Sequence, residues 1–187
     1  MLLYNILLWI NIFMWREAMN ENPKVALIMG SDSDYEVLKP AISFLKENDI
    51  EVVCNVMSAH RTPDLAKDFA KNAEADGIEV IIAAAGMAAH LPGVLAAFTT
   101  LPVIGIPVKG KVLDGVDALH SIVQMPSGIP VATVGIDNSK NAAILAVQIL
   151  SLKYPYLKGR LKKFKEDMRN EVIKKNERLQ EKIMADC

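Results

Sequence analysis

The chain has 187 residues, of which 51% are hydrophobic and 6% aromatic, and a formal net charge of -1 at pH 7. That is enough chain for one full core, and a balance so close to neutral argues against nucleic acid or an acidic surface as partner. The two cysteines, Cys54 and Cys187, form neither a disulfide framework nor a metal-ligand spacing. Cys54 reads as a small buried hydrophobe in a reducing compartment, and the expected location is cytoplasmic.

Met1 to Trp15 is strongly apolar. The run is shorter than the roughly 20 residues that span a bilayer. It lacks the basic start and small-residue cleavage site of a secretory signal, and Asn5 and Asn11 interrupt it. Residues 1–22 therefore read as an apolar extension packed on a neighbouring subunit, or as sequence upstream of a start at Met19, with a membrane anchor as the lesser alternative. No membrane partner is expected.

From Lys24 strands and helices alternate. Lys24 to Met29 reads as a buried strand, and Asp34 to Asn48 as an amphipathic helix with Val37, Leu38, Ile42 and Leu45 inward. Glu51 to Met57, with β-branched Val52, Val53 and Val56, predicts a second buried strand. Thr62 suits a helix N-cap, Pro63 the first helical position and Asp64 the positive end of the dipole, so a helix is expected from Pro63 to about Ala75. The third strand is expected over Ile78 to Ala84, then a short helix near Gly93 to Thr99 and a strand at Pro102 to Ile106. Pro107 to Gly115 reads as loop, Val116 to Val123 as helix, Val131 to Ile136 as the last strand and Asn138 to Leu150 as an Ala-rich helix. Five strand–helix units imply a mostly parallel sheet with right-handed crossovers and helices on both faces.

From Tyr154 the pattern changes. Leu157, Leu161, Phe164, Met168 and Val172 recur at three- and four-residue spacing among mostly charged positions. A helix with one apolar stripe needs a partner, and a sister subunit is the simplest. Interleaved Glu166, Asp167 and Glu171 argue against nucleic acid here. The expected division is thus 1–22 as extension, 23–152 as the α/β domain and 153–187 as a helical tail in an oligomer contact.

Three strand ends carry residues that fit chemistry. Gly30-Ser31-Asp32-Ser33-Asp34 joins the first strand to the first helix. Gly30 permits a sharp turn, and the amides and the Ser31 and Ser33 hydroxyls make an anion site. Asp34 would repel phosphate, so it fits sugar hydroxyls or a plain N-cap. The motif is neither GxGxxG nor Walker A. After the second strand, Ser58-Ala59-His60-Arg61-Thr62-Pro63 sets a histidine, which moves protons near neutral pH, beside an arginine, which grips phosphate at two points. After the third, Ala85-Gly86-Met87-Ala88-Ala89-His90-Leu91 offers small residues that let a ligand approach the backbone. In a doubly wound sheet of order 2-1-3-4-5 these ends are neighbours at the switch point, where ligands bind. His120 sits within a helical stretch and reads as structural.

These motifs give the chain a specific likeness. GSDSD, SAHRTP, AAHLPG and SIVQMPSGIPVATVGI, in order over about Lys24 to Leu152, resemble the class I N5-carboxyaminoimidazole ribonucleotide mutase family, the catalytic subunit of phosphoribosylaminoimidazole carboxylase in de novo purine synthesis. The related class that uses free carbon dioxide has a lysine after the histidine of the second motif and a GRSN-like third motif. Arg61 and the AAHLPG run resemble the mutase class more closely. The family's third loop often reads AGAGGAAHLPG, whereas here Ala84 and Met87 occupy two of the glycine positions. A positive φ at Met87 would be strained; alternatively its side chain walls the pocket.

The resemblance implies a three-layer flavodoxin-like fold with a five-stranded parallel sheet, a homo-octamer, and no cofactor or metal. The substrate is a small nucleotide whose carboxylate moves from the exocyclic nitrogen of an aminoimidazole to ring carbon C4. Ser31, Ser33 and Arg61 would then hold the 5′-phosphate and Asp34 the ribose, with Gly30 also in the substrate site. Ser58, Ala59, Ala85, Gly86, Ala88 and Leu91 would surround the imidazole. His60 would deliver a proton to the carbamate nitrogen and later take the C4 proton, an economy open to a group that titrates near pH ~6.5. His90 would orient substrate or His60. The pocket is expected to be closed, because carbon dioxide must wait in it. The alternatives are direct carboxylation by free carbon dioxide, a non-catalytic flavodoxin-like module binding phosphate or FMN, and an assembly partner acting through the tail.

Overall fold

The computed structural model describes residues 22–186, so Cys187 and all but Asn22 of the apolar extension lie outside the described residues. Strands β1 (Lys24–Met29), β2 (Glu51–Val56), β3 (Val80–Gly86), β4 (Val103–Val108) and β5 (Ala132–Thr133) form one parallel sheet in the order β2-β1-β3-β4-β5. This is the expected doubly wound order. Helices α1 (Tyr35–Glu47), α2 (Pro63–Asn72), α3 (Leu91–Ala96), α4 (Val116–Val123) and α5 (Ser139–Leu150) connect and follow the strands. Contacts divide the chain into two units, one ending at Ala146 and the other beginning at Val147.

The central strands are apolar on both faces because both are covered. On one side Ala26, Ile28, Ile81 and Ala83 join Ala66 and Ala70 of α2, Leu91 and Leu95 of α3 and Ala118 and Ile122 of α4 in one cluster. Alternate residues of β1 and β3 point to the opposite face, to which α1 contributes Leu38, Ala41 and Leu45, all fully buried. The Ser139 hydroxyl donates to the Val37 carbonyl and ties the start of α5 to α1.

The register levels the carboxyl ends of the strands. Met29 pairs with Val56 on one side and Ala84 on the other, and Gly86 pairs with Val108. Gly30 N–H donates to Ala84 C=O at 3.1 Å, and Met57 N–H to Met29 C=O at 2.9 Å. The loops leaving β1, β2 and β3 therefore emerge side by side, with the end of β4 adjoining.

Some expectations need correction. β2 is an edge strand, paired on one side only, so it is not buried: Val56 is 53% exposed. Cys54 is exposed rather than a core hydrophobe. Val37 and Ile42 are half-buried, while Ala41 and Phe44 complete the inner face of α1. α3 begins two residues early because Pro92 takes its first turn, where a missing N–H costs nothing. β5 keeps only two ladder residues, since the chain turns at Gly135, where Asn138 N–H donates back to the Gly135 carbonyl.

The second unit carries α6 (Pro155–Ala185), which runs 31 residues with Pro155 in its first turn. Lys163 pairs with Asp167 and Lys175 with Glu171, both one turn apart on the surface. Of the expected apolar stripe, Leu157 is buried, Leu161 and Phe164 are half-buried, and Met168 and Val172 are exposed. No helix among the described residues is long and apolar enough to cross a membrane.

Candidate active site

A cleft of about 550 Å³ opens over the carboxyl ends of β1, β3 and β4, within the size range of small-molecule sites. The residues given a binding or catalytic part in the sequence all lie along it: Gly30, Ser31, Ser33 and Asp34 from the first loop, Ser58, Ala59, His60 and Arg61 from the second, and Ala85, Gly86, Ala88, His90 and Leu91 from the third, while Asp32, Thr62 and Ala89 of the same motifs do not. Met87, Val108, Lys109 and Gly110 complete the wall. The last three come from the end of β4, read in the sequence only as a strand running into a loop; their signal was position, since β4 neighbours β3 and ends on the same rim. His120 lies exposed on α4, outside the cleft.

At one end, Ser31 caps a short 3-10 turn over Asp32–Asp34, its hydroxyl oxygen accepting from Ser33 N–H at 3.3 Å and from the Ser33 hydroxyl at 2.9 Å. The two hydroxyls thus sit together at the turn. Arg61 reaches across from the second loop, its Nη2 donating to the Gly30 carbonyl at 3.4 Å and its Nε to the Ser58 hydroxyl at 3.5 Å. Both bonds are long and weak, which leaves an exposed guanidinium beside two hydroxyls. Donors of this kind suit an anion such as a phosphate.

Thr62 does not cap α2 through its side chain. Its hydroxyl instead donates to the Ser58 carbonyl at 3.1 Å and accepts from Ser58 N–H at 2.9 Å, while Thr62 N–H donates to the same carbonyl at 2.8 Å. This closed turn fixes how His60 and Arg61 project. Asp34 likewise makes no side-chain cap on α1 and accepts from the Ser33 hydroxyl at 3.3 Å. Burial pushes its carboxyl above the ordinary value of 3.8, against the pull of hydrogen bonds with Ser31 and Ser33, and Asp137 and Asp32 push the same way as burial.

An acid raised on folding binds its proton more tightly folded than unfolded, so stability is fullest below the unfolded value and falls as pH rises through the folded one. An ionised Asp34 therefore costs stability relative to the protonated one. Asp34→Asn is expected to melt at the same temperature as the parent or higher at pH 7, the difference closing below pH 3.8, while nucleotide affinity drops. Thermal melts across pH and calorimetric binding check both halves; a lower Tm at pH 7 contradicts the assignment.

At the middle of the cleft, His60 and His90 meet. Nε2 of His60 lies 2.8 Å from Nδ1 of His90, with ring centroids 4.9 Å apart and planes at 68°. Thirty residues separate them in sequence; only the adjacency of β2 and β3 loops around β1 brings them together. One proton occupies the shared bond, so one facing nitrogen donates and the other accepts. Both rings are exposed. The cleft of this chain is open rather than closed as expected, because its loops form walls and a floor without a roof.

The third loop explains the glycine pattern. A Cβ on Gly86 would lie 3.3 Å from the Val108 carbonyl oxygen, a tight contact that β4 could relieve only by giving a few tenths of an ångström. Ala84 departs from glycine without strain, as a fully buried strand residue paired between Met29 and Ile106. Met87 does not: its φ is 54°, the left-handed region, which costs a non-glycine residue about 1–2 kcal/mol. Among the described residues no three His, Cys, Asp or Glu side chains converge as a metal site would require.

Fold and site together define a doubly wound, flavodoxin-like α/β domain with a cleft at its strand ends lined by two serines, an arginine and a pair of imidazoles in contact. Residues 24–171 match the AIR carboxylase family, and the chain belongs to that family. It is 57% identical over 162 residues to the N5-carboxyaminoimidazole ribonucleotide mutase of Pyrococcus horikoshii, covering 87% of this chain and 92% of that one. The mutase of Thermotoga maritima is also 57% identical, over 159 residues that cover 85% and 93% of the two chains. Among solved structures, Treponema denticola PurE superposes with a TM-score of 0.75 at 32% identity over 82% of this chain and 96% of that one.

Proposed function

We propose that this chain converts N5-carboxyaminoimidazole ribonucleotide to 4-carboxy-5-aminoimidazole ribonucleotide, in purine biosynthesis, by moving a carboxylate from nitrogen to carbon. The observation that carries the reading is the 2.8 Å contact between the His60 and His90 rings on the wall of a cleft whose other end holds Ser31, Ser33 and Arg61. The phosphate binds the hydroxyls and the guanidinium, the ribose hydroxyls bind Asp34, and this remote binding energy fixes the ring against the imidazoles. The backbone of Ala85, Gly86, Ala88 and Leu91, with Ser58 and Ala59, surrounds the base and the migrating group.

The contact supports Nδ1 of His60 as the working atom. As a cation, His60 donates Nε2–H to Nδ1 of His90 and presents Nδ1–H to the carbamate nitrogen. Once Nδ1–H is given up, His60 is neutral with its bond to His90 intact, and the bare Nδ1 is poised to take the C4 proton. One tautomer serves both steps. His90 must stay neutral to accept, so its part is to orient His60.

An ultraviolet assay of the purified chain with the carbamate ribonucleotide, with and without added bicarbonate, tests the reaction. Product from the carbamate alone supports it; product only from aminoimidazole ribonucleotide plus bicarbonate makes the chain a direct carboxylase. The same reading gives a cytoplasmic homo-octamer, and the exposed Met168, Val172 and Leu179 of α6 are the apolar surface that assembly would cover. Light scattering showing monomers overturns that part.

A further inference from the structure

We infer that Met87 is the residue that keeps carbon dioxide in the cleft between its release from nitrogen and its capture by C4, and so sets how much of the substrate reaches product. The inference rests on the carboxylate transfer proposed above. Met87 stands on the cleft wall between Gly86 and Ala88, with 65% of its surface exposed, so the core does not hold it in place. Its neighbours along the wall, Ala85, Gly86, Ala88 and Gly110, carry almost no side chain. A Cβ on Gly110 would fall 3.7 Å from Met87 Cγ, so the Met87 stem runs across the gap from the β3 tip to the β4 loop. Among the residues lining the cleft, Met87 is thus the long, unbranched, exposed apolar side chain, set among small residues two positions from His90. Its backbone is held at φ 54°, where glycine sits without strain. A side chain maintained there against backbone preference, half in solvent, is placed to act on what the cleft holds.

The chemistry gives it something to do. Protonation of the carbamate nitrogen breaks its N–C bond and yields a neutral amine and carbon dioxide. C4 then forms a C–C bond to that carbon, and the C4 proton passes to His60 Nδ1. Carbon dioxide that leaves between the two steps ends as bicarbonate and strands aminoimidazole ribonucleotide as a side product. The molecule is small, apolar and without a hydrogen-bond donor, so an open cleft has no polar grip on it. A thioether chain that folds over the floor excludes water and closes the exit.

The test measures partition rather than rate. The full chain turns over carbamate ribonucleotide labelled with carbon-13 in the carboxylate, in excess unlabelled bicarbonate, and NMR reads the aminoimidazole released and the label kept at C4, corrected for spontaneous loss without enzyme. The parent is expected to keep nearly all label. Met87→Ala should release at least five-fold more aminoimidazole per product formed and lose label to the medium, and Met87→Leu should restore retention. Met87→Gln, equal in length but polar, should leak as well, and it carries the test if Met87→Ala fails to fold. Parent-like partition in the Ala or Gln variant, whatever its kcat, overturns the inference alone. No product from the parent overturns the proposed function and the inference with it.

Discussion

His60→Asn should lose about 10²- to 10⁴-fold in kcat, the usual share of a positioned acid–base group, while nucleotide affinity changes no more than a few-fold. Asparagine keeps a polar head but stops short of the Nε2 position, so the variant removes both the titrating ring and its 2.8 Å contact with His90. It cannot carry a proton between two steps near neutral pH. The phosphate end is untouched, since Ser31, Ser33 and Arg61 hold their places through the first loop and the Ser58–Thr62 turn. Steady-state kinetics and calorimetry with the product nucleotide separate the two effects. Retained turnover would take the proton away from His60. A matching collapse in affinity would make it a binding group instead.

Arg61→Ala should act on the opposite side of that division. The guanidinium spans the first and second loops by bonds of 3.4 and 3.5 Å, too weak to matter much for stability. A phosphate would replace them with short charge-assisted bonds, worth about 1.5–3 kcal/mol. Loss of these should weaken nucleotide binding about 10- to 100-fold, with KM rising more than kcat falls and Tm little changed. Arg61→Lys should recover only part, because an ammonium offers a point charge in place of a planar fork. Unchanged binding in Arg61→Ala would place the phosphate elsewhere.

Much of this site was legible before any coordinates. The alternation of strands and helices dictates a parallel sheet, and the doubly wound order then puts three loops on one rim. What local pattern could not reveal is what depends on neighbours. Val52, Val53 and Val56 have the composition of a buried strand, yet β2 lies at the sheet edge and Val56 is 53% exposed; composition reports propensity, not which side is covered. Thr62 has the chemistry of a cap, but the Ser58 carbonyl and amide lie nearer and take it. Val108, Lys109 and Gly110 carry no motif and join the cleft only because β4 pairs with β3 as far as Gly86. The His60–His90 bond joins loops thirty residues apart and appears in no window of sequence. Met87 is the reverse case: its departure from glycine stood out in the sequence, and the left-handed φ of 54° is where that departure is felt.

One placement is central to the proposed reaction: phosphate among Ser31, Ser33 and Arg61, and C4 of the aminoimidazole against the His60 ring. A crystal structure of the chain with the product nucleotide measures it directly. Phosphate oxygens are expected within hydrogen-bond reach of both serine hydroxyls and the guanidinium, and His60 Nδ1 is expected to face C4 while Nε2 stays bonded to His90. A nucleotide bound with its phosphate away from Arg61, or with C4 out of reach of either nitrogen of His60, would contradict it.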